Sequence, residues 1–174
     1  GEDYKTKIEK IRKYLNKNKS DYLFITAPEN VAWLLNIRGY DNPNSPIPNC
    51  HLIIDNKNSI YLISYKNKVS RLINEKKIKS DQVIEPKNFN EFISNLKGKK
   101  IIIDTNTWTI FFENLIKKKF KILKKEDPIY LLKSIKNKTE IKNTLKSHIL
   151  DGVALTKFIH WIKNINKKKI TEFE

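Results

Sequence analysis

Apolar residues recur at two alternating spacings along most of the chain, which predicts helices interleaved with strands. Helical spacing over 4–18 is followed by a short apolar run, 21–26, typical of a buried strand. A second helical stripe begins at Pro28, a residue that suits a first helical turn, and is expected to end at Gly39. Residues 40–49 contain three prolines and predict an irregular loop.

The rest of the first 133 residues continues this alternation. Apolar runs at 51–55 and 60–63 flank polar turn residues and predict an antiparallel hairpin. The elements predicted after the hairpin are a helix over 66–76, a strand over 82–85, a helix capped by Asn88 with Glu91 and closed by Gly98, a strand over 100–104, a helix capped by Thr105 or Thr107, and a strand over 120–123. This order predicts an α/β fold, with a mixed β-sheet flanked by helices.

The pattern changes near residue 134. Asp127 and Pro128 start a short helix, and Asn137 then caps a segment with helical spacing that reaches about residue 166. At roughly 1.5 Å per residue, such a C-terminal helix is about 45 Å long and exceeds one face of a small sheet. It either projects to a partner or is the first helix of an absent domain. A new polar–apolar pattern begins over 170–174 and stops, as expected of a truncated chain.

Composition narrows the class of protein. The single cysteine, Cys50, excludes an internal disulfide framework. No apolar run approaches the roughly 18 residues that a membrane span needs, and the Lys-rich start does not resemble a signal peptide. We therefore expect a soluble, cytoplasmic protein without a membrane partner.

The net charge of +16 has two interpretations. It suits a basic α/β module that binds nucleic acid, which is the alternative function for this chain. However, only three of the 35 basic residues are Arg, the residue type preferred for bidentate phosphate contacts. The sequence is also rich in Ile and Asn, which share A/T-rich codons with Lys. Composition bias therefore makes a nucleic-acid partner the less favoured interpretation.

Candidate chemistry is sparse. Three His and one Cys are too few, and wrongly spaced, for a zinc site. Cys50 and His51 are adjacent at the start of a strand, so their side chains point to opposite faces; we interpret them as a packing cysteine and a surface histidine. Asp55 and Asp104 follow strands, but a two-metal nuclease needs more carboxylates at one point. We assign no catalytic or metal-ligating residue in this chain.

The most unusual stretch is 33–41, in which a lone Arg38 follows an apolar helix and precedes Gly, Tyr and Asp. Such a segment can aim a cation and hydrogen-bonding groups at a site. The alternative is a local clasp in which Arg38 pairs with Asp41.

The stretch 26–41, TAPENVAWLLNIRGYD, resembles the hallmark segment of the second domain of three-domain Xaa-Pro aminopeptidases of the creatinase/prolidase superfamily. Residues 133–141, continuing through 148–161, resemble the entry into the catalytic domain of that family. Residues 170–172 look like its next segment, and 1–3 look like the preceding domain junction. The resemblance is closest to the bacterial cytoplasmic forms.

This resemblance implies a domain organisation and a parent activity. Residues 1–133 would form a creatinase-N-like domain with a ribonuclease-H-like fold, and 134–174 the linker and first helix of a truncated "pita-bread" catalytic domain. The family's enzymes are metallo-hydrolases that remove the N-terminal residue preceding proline. Their two metal ions, usually manganese, are held by ligands that would lie beyond Glu174. The chain alone is expected to be inactive.

The resemblance also implies partners. The parent would act on short peptides with proline at the second position and form a homodimer, whereas this chain would be monomeric. N-terminal modules of the superfamily limit access to the active-site mouth, and 33–48 is the segment expected to face it. Arg38 would hold a substrate carboxylate or carbonyl. Trp33 and Tyr40 would pack on the proline ring or on the core, with the core favoured for Trp33. Together with Asp41, these three residues are the candidates for controlling substrate access.

Overall fold

The structure, a computed structural model, describes residues 1–165 and residue 171. The predicted pattern over 170–174 lies outside the described residues, Thr171 excepted. Contacts divide the chain into two compact units, Glu2–Ile135 and Lys136–Glu174, and the second includes Gly1.

The first unit alternates helices and strands. Its helices are α1 (Tyr4–Lys17), α2 (Pro28–Leu35), α3 (Ser70–Asn74), α4 (Phe89–Asn95), α5 (Ile110–Ile116) and α6 (Pro128–Ser134). Its strands are β1 (Tyr22–Ile25), β2 (His51–Asp55), β3 (Ile60–Ile63), β4 (Val83–Ile84), β5 (Lys100–Ile103) and β6 (Lys121–Lys124). The predicted hairpin is confirmed as β2 and β3.

The strands form one mixed sheet in the order β4-β3-β2-β1-β5-β6. Strand β2 runs antiparallel to both of its neighbours, and the other adjacent pairs are parallel. In the register at the centre of the sheet, Phe24 lies opposite Ile53 on one side and Ile103 on the other. The predicted mixed sheet flanked by helices is confirmed.

Strands β1, β2, β3 and β5 contribute buried side chains to both faces of the sheet, because successive side chains of a strand point to opposite sides and helices cover both. Helices α1, α2, α3 and α6 contribute to the core on one face, and α4 and α5 to the core on the other. The first core contains the strand residues Leu23, Ile25, Leu52, Ile54, Leu62 and Ile102. The second contains Tyr22, Phe24, Ile53, Ile63, Ile101 and Ile103.

A buried polar network connects α2, the end of β5 and the start of α6. Asn30, fully buried, donates from Nδ2 to Asp127 Oδ2 at 2.8 Å, and Lys133 Nζ donates to Asn30 Oδ1 at 2.7 Å. The backbone N–H of Asp127 donates to Asp104 Oδ2 at 2.9 Å. Asp127 Oδ1 accepts from Ile129 N and so caps α6. Burial raises the pKa of Asp127, and the two bonds that its carboxylate accepts oppose that shift.

Several predicted helix ends are wrong. Helix α2 ends at Leu35, before Gly39, because Asn36 adopts a left-handed φ of 54° and terminates it. The helix predicted over 66–76 is reduced to Ser70–Asn74. Helix α4 ends at Asn95 because Leu96 is extended, so Gly98 does not close it.

The predicted caps of two helices are also wrong. Asn88 makes no side-chain cap, and a single 3₁₀ turn precedes α4 instead. Thr109, rather than Thr105 or Thr107, caps α5 by accepting from Phe112 N. Thr107 contacts the Thr26 hydroxyl at 2.6 Å, a tertiary bond that no local signal indicates.

In the second unit the described residues form one long helix, α7 (Lys138–Asn164). Asn137 and Glu140 form the reciprocal capping box that opens it, as the spacing predicts. None of its residues is buried, although many are apolar. The exposed apolar side chains include Ile141, Leu145, Ile149, Leu150, Leu155 and Phe158.

We expect Asp127→Ala to lower the free energy of unfolding of the first unit by about 2 kcal/mol, because it removes a helix cap and leaves the Asn30 amide without its acceptor. Chemical denaturation would measure the loss. Asp127→Asn separates the two roles: its amide oxygen can still cap α6, but its NH₂ group then faces the Asn30 Nδ2 donor, so it should keep the cap and not the bond from Asn30. A loss well under about 1 kcal/mol for Asp127→Ala would contradict this role for the carboxyl group.

Candidate functional site

Arg38, Tyr40 and Asp41 line one cavity of about 360 Å³, formed where the chain leaves α2. The opposite wall includes Lys68 and Arg71, from the loop before α3 and from α3 itself. The structure therefore brings three of the four predicted substrate-access residues together. The two additional basic residues were missed by sequence reasoning because they lie about 30 positions further along the chain and belong to no shared motif.

Trp33, the fourth predicted residue, lies apart from this cavity. It is half-buried on α2 and packs against the core on the α1 side, the placement favoured for it. Lys7 Nζ lies 4.0 Å from the centroid of its ring and donates to the Trp33 carbonyl at 2.7 Å. Trp33 thus connects α1 to α2.

The predicted Arg38–Asp41 clasp is not formed. The Asp41 carboxylate accepts instead from Lys68 Nζ and, at 2.7 Å, from the Asn49 backbone N–H. Arg38 donates to the neighbouring Ile37 carbonyl at 2.9 Å and is exposed. The cation at Lys68 reaches the carboxylate because the loop before α3 packs beside the loop after α2. Among the described residues, Arg38 makes no ion pair.

The loop over 40–49 is irregular, as predicted, and a tight backbone contact at Gly39 closes its base. Gly39 N donates to the Pro46 carbonyl at 3.0 Å. A Cβ atom on Gly39 would lie 2.6 Å from Pro48 Cα, closer than real side chains approach. Only glycine permits this closure, and the reason is space rather than an unusual φ.

The charges around the cavity favour an anionic or strongly polar ligand at Arg38. Arg71 donates to Glu75 at 2.7 Å, and Lys68 is paired with Asp41. Lys68 and the Asn49 N–H lower the pKa of Asp41, so its carboxylate stays charged at neutral pH. The guanidinium of Arg38 is therefore the cation that remains available to a ligand.

Cys50, just before β2, and His51, its first residue, lie on opposite faces of the sheet, as the alternation predicts, but His51 is not a surface histidine. Its Nδ1 lies 2.9 Å from the Thr26 carbonyl, and its ring lies edge-on to Phe112 at 5.1 Å. Burial lowers the pKa of His51. The Cys50 thiol is buried in the other core, and burial raises its pKa to about 12, so it is not a nucleophile at neutral pH.

Over residues 1–165 and 171, no three His, Cys, Asp or Glu side chains are grouped so that they could hold a metal ion. Among the same residues, no helix combines the length and the apolar character that crossing a membrane requires.

We expect Gly39→Ala to lower the free energy of unfolding by about 1–3 kcal/mol, the typical effect of forcing an extra methyl group into a closed contact. Thermal unfolding would measure it. Gly152→Ala is the matched control, because nothing lies within 4 Å of its Cβ position and alanine favours a helix. A Gly39→Ala protein as stable as the wild type would show that the loop base is loose.

We expect the Asn49 amide resonance to titrate with Asp41, with a midpoint below the ordinary aspartate value of 3.8. Because the pKa is lowered in the folded state, the contribution of this carboxylate to stability is present above that ordinary value and is lost as the pH falls through the folded pKa. NMR shifts of Asn49 during acid titration would show this. Asp41→Asn should abolish the transition, and a midpoint at or above 3.8 would contradict the pairing.

Comparisons with known proteins agree with the fold. The family model of the Creatinase/Prolidase N-terminal domain matches residues 1–140. Xaa-Pro aminopeptidase 1 of Dictyostelium discoideum is 30% identical over 94% of this chain, which covers 26% of that protein. The chain thus spans about a quarter of the length of this relative.

Two solved structures share the architecture. One is the X-prolyl aminopeptidase of Caenorhabditis elegans, described as a cytosolic enzyme with a di-nuclear active site; it matches with a TM-score of 0.76 and 24% identity, over 94% of this chain and 28% of that one. The prolidase of Pyrococcus horikoshii matches with a TM-score of 0.59 and 26% identity, over 94% of this chain and 44% of that one. The six-stranded mixed sheet and the match over residues 1–140 lead to one conclusion: the chain belongs to the Creatinase/Prolidase N-terminal domain family.

Proposed function

We propose that this chain is a non-catalytic middle domain, with the beginning of the catalytic domain, of a metal-dependent Xaa-Pro aminopeptidase. The parent enzyme removes an N-terminal residue that precedes proline. The observation that carries this proposal is the family match over residues 1–140. The similarity to Xaa-Pro aminopeptidase 1 of Dictyostelium discoideum also supports it. Nearly the whole of this chain matches that relative but covers only 26% of it, as a single domain of a larger enzyme would.

In this proposal residues 1–133 form the second domain of the parent, and 134–174 form the linker and the first catalytic-domain helix. The exposed apolar side chains of α7 support this division. Exposed apolar side chains over much of a helix mark a surface that another part of the protein covers. The covering surface is the remainder of the catalytic domain.

The metal ions of the parent, two manganese ions in this proposal, are held by residues outside this chain. The described residues do not fit a metal centre, and no chemical step is assigned to them. The parent works in the cytoplasm as a homodimer joined mainly through its catalytic domain. The 174-residue chain alone is monomeric and inactive.

Arg38 carries the proposed contribution of this domain to the site. Its exposed guanidinium has no carboxylate partner among the described residues, so it can bind a substrate carboxylate or a peptide carbonyl with a charge-assisted hydrogen bond. Tyr40, fully exposed beside it, offers a ring to the proline of a short peptide. Asp41, held by Lys68, keeps the loop in place, and Trp33 anchors α2 against α1 through Lys7. Through these contacts the domain admits only short, proline-containing peptides to the active site of the parent enzyme.

The test is a peptidase assay on an Xaa-Pro-Xaa peptide with added manganese, in the 174-residue chain and in a protein extended past Glu174. Activity is expected in the extended protein alone. There, Arg38→Ala should lower kcat/KM by roughly 10- to 100-fold, the loss of one charge-assisted bond, and Arg38→Lys should restore part of it. Lys118→Ala is the matched control, since it removes an exposed charge outside the cavity and should leave kcat/KM within about two-fold.

Two results would overturn the proposal. Activity of the 174-residue chain by itself would mean that its own residues form a catalytic centre. Inactivity of both proteins, together with nucleic-acid binding that weakens steeply with salt, would favour the basic nucleic-acid-binding alternative.

A further inference from the structure

A second cavity, of about 330 Å³, lies on the other side of β2 and β3 from the Arg38 cavity. It opens where β3 ends and where α4 and α5 begin, and we call it the His51 pocket. The residues that shape it are His51, Tyr65, Pro86, Phe89, Phe111 and Phe112. None of its lining residues is charged, although 31% of the chain is charged. Its volume is at the small end of the range for ligand pockets, roughly 300–1,000 Å³.

Aromatic rings form a continuous wall from the buried end of this pocket to its mouth. Phe89 is 1% exposed and Phe111 is 61% exposed, with Phe112 between them. Phe112 lies 5.2 Å from Phe89 and 5.1 Å from His51, with interplanar angles of 69° and 83°. Such edge-to-face contacts favour the insertion of one further ring, which would continue the same packing.

The hydrogen bond of His51 determines which of its nitrogens a ligand can use. A backbone carbonyl can only accept, so Nδ1, at 2.9 Å from the Thr26 oxygen, carries the proton and donates it. The carbonyl is held in place because Thr26 directly follows β1 and its hydroxyl contacts Thr107 at 2.6 Å. Burial lowers the pKa of His51 and keeps the ring neutral at neutral pH. Nε2 is therefore a hydrogen-bond acceptor.

We propose that the His51 pocket binds a small, neutral aromatic molecule with one hydrogen-bond donor, a phenol or an indole, whose donor bonds to His51 Nε2. The aromatic wall supplies apolar contact to the ring. An ionised ligand would lose its hydration without meeting an opposite charge. A ring without a donor would bury Nε2 unpaired, which costs more than the bond itself contributes. This proposal does not depend on the proposed peptidase function.

The test is an NMR titration of the 174-residue chain with para-cresol and with 4-methylanisole, in which a methyl group replaces the hydroxyl proton. Both molecules should shift the resonances of Phe112 and Tyr65. Para-cresol should bind roughly 5- to 100-fold more tightly, because 4-methylanisole leaves the Nε2 acceptor unpaired, and para-cresol alone should shift the ¹⁵N resonance of His51 Nε2.

His51→Phe is the matched variant, because it keeps an aromatic ring in the wall and removes the acceptor. This variant should lose the preference for para-cresol over 4-methylanisole. If this variant does not fold, the comparison of the two ligands on the wild-type chain still decides the proposal. Equal binding of both to the wild type, or shifts confined to residues outside the pocket, would overturn it. So would tighter binding of para-toluate, or tighter binding of a tyrosine-containing peptide than of para-cresol, which would point to a protein partner.

Discussion

The structure depends on the burial of β1 from both sides of the sheet. All four of its residues are buried, and it lies between antiparallel β2 and parallel β5. Leu23 and Ile25 enter the core beneath α1 and α2, while Tyr22 and Phe24 enter the core beneath α4 and α5. Because side chains alternate along a strand, a slip of one residue would exchange the two sets, so one register satisfies both cores.

That register also determines where the two cavities lie. The end of β1, the start of β2 and the end of β3 meet at one edge of the sheet, and each cavity is lined by Cys50 and Ser64. On one side the loop after α2 brings Arg38 and Asp41 against Lys68; on the other, α5 brings Phe112 against His51. The same strand ends therefore support a charged cavity, which Leu62 of β3 lines, and an uncharged one, which Ile63 lines.

The polar network around Asn30 connects the stretch 26–41 to α6 as well as to its own helix, α2. Asn30 is in the first turn of α2, and through Asp127 it fixes the start of α6. A buried amide and carboxyl group in this arrangement satisfy each other, and removing either leaves a polar group without a partner. Asn30 thus has a structural role in the fold, which is separate from any role of Arg38 in recognition.

Sequence by itself determined the order of the elements, the mixed sheet, the hairpin and the length of α7, because these depend on local hydrophobic period, turn residues and capping side chains. It also indicated that Arg38, Tyr40 and Asp41 belong to one site, since they are neighbours in the chain. Tertiary structure decided the rest: Lys68 rather than Arg38 as the partner of Asp41, Thr107 as a partner of Thr26, and His51 among aromatic rings. Those contacts join residues 25 or more positions apart, and they exist only because strand pairing and helix packing bring distant loops to one edge of the sheet.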